Sequence, residues 1–366
     1  MNEIIDSQID SLNIKDFLNS AQKFTKNNFP DLDILEVFST SITGNLSGAG
    51  NTILKSIENI ISNELMISMN LIASVLVVVV IHSILKTIIE NLENSSASQI
   101  VYIIQYLIIV TIVINTFVSI LDITKNSINE LVNFMNLLIP ILLTLMLTTG
   151  SIVTTSIAQP ILIFMVSFIG NFINTFIVPL LLISIAISII SNISEKVEIS
   201  RISKFLKSSI VWILGIILTI FTCVLSIEGT LSSSVDGMTA KTAKAAVSNF
   251  IPVVGKIMGD TVETIIGCGN ILKNSVGVIG VIIITGIVVL PIIKITLLMI
   301  SFKITSAVCE VVADTKIVKL IDNIADSYKI LLAILISISI MFIIGITLVI
   351  KITNSSIMYR WGKQWY

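Results

Sequence analysis

Charge is what this sequence has least of. Asp, Glu, Lys and Arg make up 12% of its 366 residues, about half the ~25% of an ordinary globular chain. From Leu131 to Ser194 none of them occurs, and no histidine either. Wound as a helix at about 1.5 Å per residue, that 64-residue run would extend about 96 Å, roughly three times the hydrocarbon thickness of a bilayer. A soluble domain has no use for such a length, so the pattern predicts an all-α, polytopic membrane protein.

Histidine and cysteine are nearly missing too. His82 is the single histidine, and Cys223, Cys268 and Cys309 stand far apart without CxxC or Cys/His ligand spacing. The residues predict no metal site and no cofactor. A proton relay through His82 would need a carboxylate partner at membrane depth, and no apolar run offers one, so a structural or interfacial histidine is the expectation. There is no Walker A loop, GxSxG, HExxH or glycine-rich dinucleotide fingerprint. The chain reads as a non-enzyme that borrows any ATP-driven work from another protein. A net charge of −1 gives no footing for nucleic acid. The opening is acidic (Glu3, Asp6, Asp10) and lacks the basic-then-apolar order of a signal peptide, so either none exists or one has been lost.

What is present is apolar: 54% of residues are hydrophobic, and the 45 charged ones gather between apolar runs, as contact with lipid requires. Residues 1–64 form a polar region with nine acids and four lysines. Within it Ser41–Asn51, with Gly44, Gly48 and Gly50, reads as a loop. Ile53, Leu54, Ile57, Ile60, Ile61 and Leu65 then follow helical spacing, either a docking helix for a partner or an interfacial lead-in. Residues 65–351 form the membrane domain, of about eight or nine helices. Its charge-free segments are Leu65–Leu85, Ile100–Leu121, Leu131–Leu147, Ile152–Ile169, Phe172–Ser191, Ser208–Ile227, Asn274–Ile293 and Ile330–Ile350. The long run is divided at Thr148–Ser151 and at Gly170-Asn171.

Two stretches fit less simply. Residues 228–273 are semi-polar, and Lys294–Cys309 is apolar but interrupted by Lys294 and Lys303. After them Ile317, Leu320, Ile321, Ile324 and Tyr328 alternate with Lys316, Lys319, Asp322 and Asp326, predicting an amphipathic helix lying along the membrane surface. Residues 352–366 are a short basic-aromatic tail whose Tyr359, Trp361, Trp365 and Tyr366 read as an interfacial anchor.

Orientation follows from basic residues in short loops. Lys196, Arg201, Lys204 and Lys207 form the densest cluster. Placing it in the cytoplasm and counting back through five segments puts the acidic region 1–64 outside. Counting forward puts the tail outside as well, against its Lys351, Arg360 and Lys363. A further crossing at 294–309 would remove that conflict.

Pro140, Pro160, Pro179 and Pro291 could break spans at a substrate site, as in permeases. Without an inverted repeat, tolerated kinks are the preferred reading. The richest segment is Asp236–Lys256, DGMTAKTAKAAVSNFIPVVGK. A helix from Thr239 to Asn249 carries Lys241, Lys244 and Ser248 on one side and Ala243, Ala246 and Phe250 on another. Asn249 to Pro252 should end it, because the residue before proline avoids the helical region. Gly255 and Gly259 then give GxxxG spacing. A self-association or pore-lining element, which would make the protein a homo-oligomer, competes with an ordinary in-plane helix.

SSSVDGMTAKTAKAAVSNFIPVVGKIMGDTVETIIG, with ILKNSVGVIG after it, resembles the stage III sporulation protein AE family of endospore-forming bacteria. FMNLLIPILLTLMLTTGS and the FIVPLL around Pro179 are similar to the same family. The resemblance runs from about Leu65 to Ile350, whereas family members can begin with a cleavable signal peptide and the tail Met358–Tyr366 lies outside the pattern. It implies a multi-pass protein of the mother-cell membrane around the forespore. There it would be part of an envelope-spanning channel or export complex with a secretion-type ATPase and ring-forming proteins, sustaining late forespore development. Within that complex a gate or a structural anchor are both open, and a stand-alone solute permease is the alternative outside it.

Overall fold

The computed structural model describes residues 2–26, 29, 32–43, 47–90, 95–193, 200–250, 254–311, 313 and 315–361. Among these every regular element is a helix. They are α1 (Asn2–Ser11), α2 (Ile14–Thr25), α3 (Ile34–Thr43), α4 (Ser47–Glu90), α5 (Ser95–Thr148), α6 (Ile152–Phe172), a π-helical turn (Ile173–Ile177), α7 (Val178–Ile193), α8 (Ser200–Phe250), α9 (Val254–Cys309) and α10 (Thr315–Trp361). Among the described residues six helical stretches are long and apolar enough to cross a membrane.

The eight charge-free segments fall on these six stretches. The division at Thr148–Ser151 coincides with a turn, but Ile100–Leu121 and Leu131–Leu147 lie on one uninterrupted helix, α5. The polar residues between them do not end the helix, since most stand exposed or half-buried on its surface. Near Gly170-Asn171 the chain widens without breaking: the Val178 N–H reaches back five residues to the Ile173 carbonyl. Pro179 follows at once, and its missing N–H and its ring disfavour a regular α turn over Thr175, which a wider turn relieves. Counting each long helix as one crossing leaves an odd number before the basic loop, so the parity that opposes it to the acidic region is unchanged.

Residues 294–309 are the last turns of α9 and no separate element. Likewise Ile317–Tyr328 opens α10 as part of one rod, and its apolar face is buried in the protein: Ile317, Ile321 and Tyr328 are each 0% exposed. Helix replaces the expected loop from Ser47 onward, and the lead-in at 53–65 is continuous with the apolar part of α4.

Helix α9 is the axis of the bundle, flanked by α10, α5, α4 and the N-terminal helices. It runs antiparallel to α10, with Gly277 under Ile350, Gly280 under Ile346 and Phe302 stacked on Tyr328. Gly280 also meets Leu138 of α5; a Cβ there would come within 2.7 Å of its Cδ2. Three helix backbones approach so closely because small residues stand at the crossing, the packing that lipid-embedded helices depend on. Hydroxyls in this apolar setting are satisfied by their own helix: Thr124, Thr144, Thr285, Thr305 and Ser339 all donate to the carbonyl four residues back.

The polar N-terminal region docks on this bundle. Ile14, Phe17, Leu18, Ala21 and Thr25 form the buried stripe of α2, and the Gln22 side chain ties α3 in place, donating to the Leu32 carbonyl and accepting from Ile34 N–H. Thr25 and Phe29 cover Gly286 of α9, Phe24 meets Phe134 edge-on, and Gln8 donates to the Ile265 carbonyl.

Candidate functional site

The turn between α5 and α6 is built from TTGS. Gly150 takes a left-handed conformation, φ 80°, which glycine adopts without steric cost. Its N–H bonds the Leu147 carbonyl at 2.9 Å and the Ser151 N–H bonds Met146 at 3.1 Å, the paired bonds of a Schellman stop. The N-terminus of α6 then needs a cap. Ser151 stands at the capping position but makes no side-chain capping bond, and its buried hydroxyl oxygen has no partner among the described residues.

Asp236, from the far part of α8, takes that role. Its Oδ1 accepts from Val153 N–H at 2.9 Å, and its Oδ2 accepts from Thr154 N–H at 3.0 Å and from the Thr154 hydroxyl at 2.6 Å. The residue is 3% exposed. A buried carboxylate is costly alone, but three donors and the positive end of a helix dipole offset that cost. Gly269 of α9 closes the turn from the other side, with Thr148 and Thr149 against it. Four long helices therefore meet at this turn.

Of the seven candidate residues between 236 and 259, Asp236 alone has a described environment. Lys241, Lys244, Asn249, Gly255 and Gly259 lie on helical backbone with side chains outside the described residues, and Pro252 lies outside them altogether. The expected end of this helix at Asn249 to Pro252 falls partly outside the described residues, the last described residue of α8 being Phe250. The His82 side chain and the tail aromatics are also outside the described residues. Cys223 is exposed, Cys268 and Cys309 are buried, and all three are free. Among the described residues no three His, Cys, Asp or Glu side chains come together as a metal site would need.

Elsewhere charged side chains are met across helices, some buried and some at the surface. Lys294 pairs with the buried Glu64 at 3.2 Å. Lys303 reaches Asp322 at 2.6 Å and Asp326 at 3.1 Å, while Lys207 donates to the Asn323 carbonyl at 2.7 Å. The lysines that interrupt 294–309 are thus neutralised by neighbouring helices. Lys273, 0% exposed, donates to Asn270 Oδ1 and to the Ile350 carbonyl.

A second polar feature is carried mainly by amides. Along α5 the exposed positions from Thr111 to Thr144, before the exposed Leu147, begin with Asn115, Val118, Ser119, Asp122 and Asn126. They continue as Asn129, Glu130, Asn133, Asn136, Pro140 and Thr144. All but Val118 and Pro140 are polar, and the spacing keeps them on one face. Asn129 accepts a 2.8 Å hydrogen bond from Asn174 of the π-helical turn, whose own buried Oδ1 has no partner among the described residues. The sequence signal is the asparagine recurrence itself, at 115, 126, 129, 133 and 136.

Fold and polar contacts together define a multi-pass helical membrane protein. Residues 32–353 match the family described as stage III sporulation protein AE, and the chain belongs to that family. It is 28% identical over 319 residues to the stage III sporulation protein AE of Bacillus subtilis (strain 168), covering 87% of this chain and 80% of the relative. No solved structure matches it.

Proposed function

We propose that this protein is a membrane component of the channel or export assembly that links mother cell and forespore, needed for late forespore development. The observation that carries the reading is the family match across nearly the whole membrane domain. The lack of any nucleotide-binding motif supports a chain that works beside a motor. Its partners are then other stage III sporulation proteins, including a secretion-type ATPase and ring-forming proteins, and its place is the mother-cell membrane around the forespore. Within the chain, residues 236–259 are the contact for sister subunits or partner rings, anchored at their base by Asp236.

Crosslinking and mass spectrometry of membranes from sporulating cells tests this. Recovery of the ATPase and ring proteins with the chain is expected, together with late arrest when its gene is deleted. Migration as a small particle free of partners in native gels would favour a permease and overturn the reading. Lys241→Glu with Lys244→Glu, and separately Gly255→Leu, should arrest sporulation late at normal protein abundance. Lys196→Glu with Lys204→Glu, in the basic loop, is the control expected to be mild.

A further inference from the structure

We propose that α2 and α3 form a re-entrant hairpin, a plug that enters the membrane from the side opposite the basic loop and turns back at about its mid-depth. The level of the bilayer follows from three charge-free stretches that stand side by side. Ser208–Ile227 of α8 meets α10 where Phe221 and Leu225 lie against Gly345, and Ile330–Ile350 of α10 meets α9 where Ile346 and Ile350 lie against Gly280 and Gly277. On α9 the matching stretch is Asn274–Ile293, which rises about 30 Å at 1.5 Å per residue, the thickness of the hydrocarbon slab. Gly286 lies inside it, about 18 Å from Asn274 and about 10 Å from Ile293. Thr25 and Phe29 cover Gly286, their nearest atoms 3.2 and 3.4 Å from the place a Cβ would occupy, and Phe24 meets Phe134 of α5. The end of α2 therefore stands well inside the slab. The approach to it is outside: Gln8 of α1 donates to the Ile265 carbonyl, about 14 Å before Asn274 along α9. The basic loop is at the opposite end, where Lys207 reaches the Asn323 carbonyl and Lys303 pairs with Asp322.

A turn at that depth has to satisfy its own backbone, because the hydrocarbon offers no hydrogen bonds. The described part of this one does so. Phe29 N–H bonds the Thr25 carbonyl at 2.8 Å and Leu32 N–H bonds the Phe29 carbonyl at 3.1 Å. The Gln22 amide donates to the Leu32 carbonyl and accepts from Ile34 N–H, each at 2.7 Å, and Asp33 Oδ1 accepts from Leu35 N–H at 2.8 Å. Phe29, Leu32 and Ile34 are buried against the bundle. The outer face of the hairpin is charged instead, with Lys23, Lys26, Asp33 and Glu36 exposed. Charges at membrane depth face protein or water and avoid lipid, and a re-entrant segment that is not buried on all sides lines a water-filled cavity. The hairpin thus stands in a recess that is wet from the N-terminal side down to the level of Gly286. Beyond its tip α4 closes on α9 through Glu64 and Lys294, 3.2 Å apart.

The test uses the full chain in vesicles of known sidedness, with Cys223, Cys268 and Cys309 replaced by serine. Single cysteines are placed at Lys15, near the start of α2, and at Lys26 and Asp33, at the tip, with the exposed Phe164 of α6 as the lipid-facing control. The probes are a small charged methanethiosulfonate and a maleimide carrying a bulky polyethylene glycol. Added from the N-terminal side, the small reagent should modify all three hairpin positions at least about tenfold faster than Phe164→Cys. The bulky one should modify Lys15→Cys at least about tenfold faster than Lys26→Cys or Asp33→Cys. Equal rates with the bulky reagent would place the hairpin outside the membrane and overturn its re-entry. Tip rates as slow as at Phe164→Cys would overturn the wet recess, and modification from the basic-loop side would reverse the direction of entry. Thr25→Cys with Gly286→Cys should form a disulfide on oxidation, identified by mass spectrometry of the joined peptides, and its absence in a chain that accumulates would unseat the tip. For any variant that fails to accumulate, acylation of Lys15, Lys23 and Lys26 in the unaltered protein by small and bulky impermeant succinimidyl esters decides the same question. The labelling reads this region whatever partners are recovered, so its failure leaves the assembly reading standing.

Discussion

Asp236 shows what a single side chain can hold. Asp236→Ala removes three accepted hydrogen bonds and leaves the α6 N–H groups without their cap, so a loss of about 1–3 kcal/mol is expected. Asp236→Asn keeps one acceptor oxygen and should lose less. Thermal unfolding of the detergent-solubilised protein orders the two, and equal melting points for both variants and the parent would refute the cap. Replacing Cys223, Cys268 and Cys309 together by serine should leave spore formation largely intact, with modest packing losses at the two buried sites; spore counts at matched protein level decide it. The sequence marked Asp236 through the segment it begins, yet its role was not legible there. The groups that it caps are 82 and 83 residues away, and no local pattern encodes so distant a contact. The asparagines of α5 were legible in principle, but amides carry no charge and leave no mark in a charge pattern.

At the scale of the element, glycines distinguish packed faces from open ones. Gly280→Leu forces bulk against Leu138 and Ile346, and Gly277→Leu forces it against Ile350. Overpacking of this kind costs about 1–3 kcal/mol or more. Gly215, on the outer face of α8, has nothing within 4 Å of the place a Cβ would occupy, so Gly215→Leu should leave the melting temperature nearly unchanged. Matching losses at Gly215 and Gly280 would contradict the α5–α9–α10 crossing. The helix stop encoded by backbone chemistry was readable at the α5–α6 turn, where Gly150 stands. The division of α5 was not, because charge marks which face meets water and does not end a helix. For the same reason Ile317–Tyr328 read as a surface helix, since an amphipathic stripe fits a protein neighbour as well as it fits a membrane.

For the whole molecule, we propose that residues 1–64 enter the membrane from the side opposite the basic loop, since an odd number of crossings separates the two. Ser41→Cys, on α3, should react with an impermeant maleimide in right-side-out membranes, and reaction only after permeabilisation would reverse the topology. That region is more than a tail in this structure, since α2 and the residue Phe29 cover Gly286 at the centre of the apolar part of α9. Deleting residues 1–43 should therefore expose apolar surface on α9 and lower stability, visible as aggregation on extraction. A deletion that leaves extraction and melting unchanged would show the docking to be energetically idle.

The cap on α6 also fixes an order of events during synthesis. Thr154 leaves the ribosome 82 residues before Asp236, an interval of roughly 4–16 s at 5–20 residues per second. Throughout that interval the α5–α6 hairpin exists without the carboxylate that completes it, and Ser151 is the side chain at hand to serve in its place. A nascent chain arrested before residue 236 should hold this hairpin loosely, and one arrested well after it should hold the hairpin firmly.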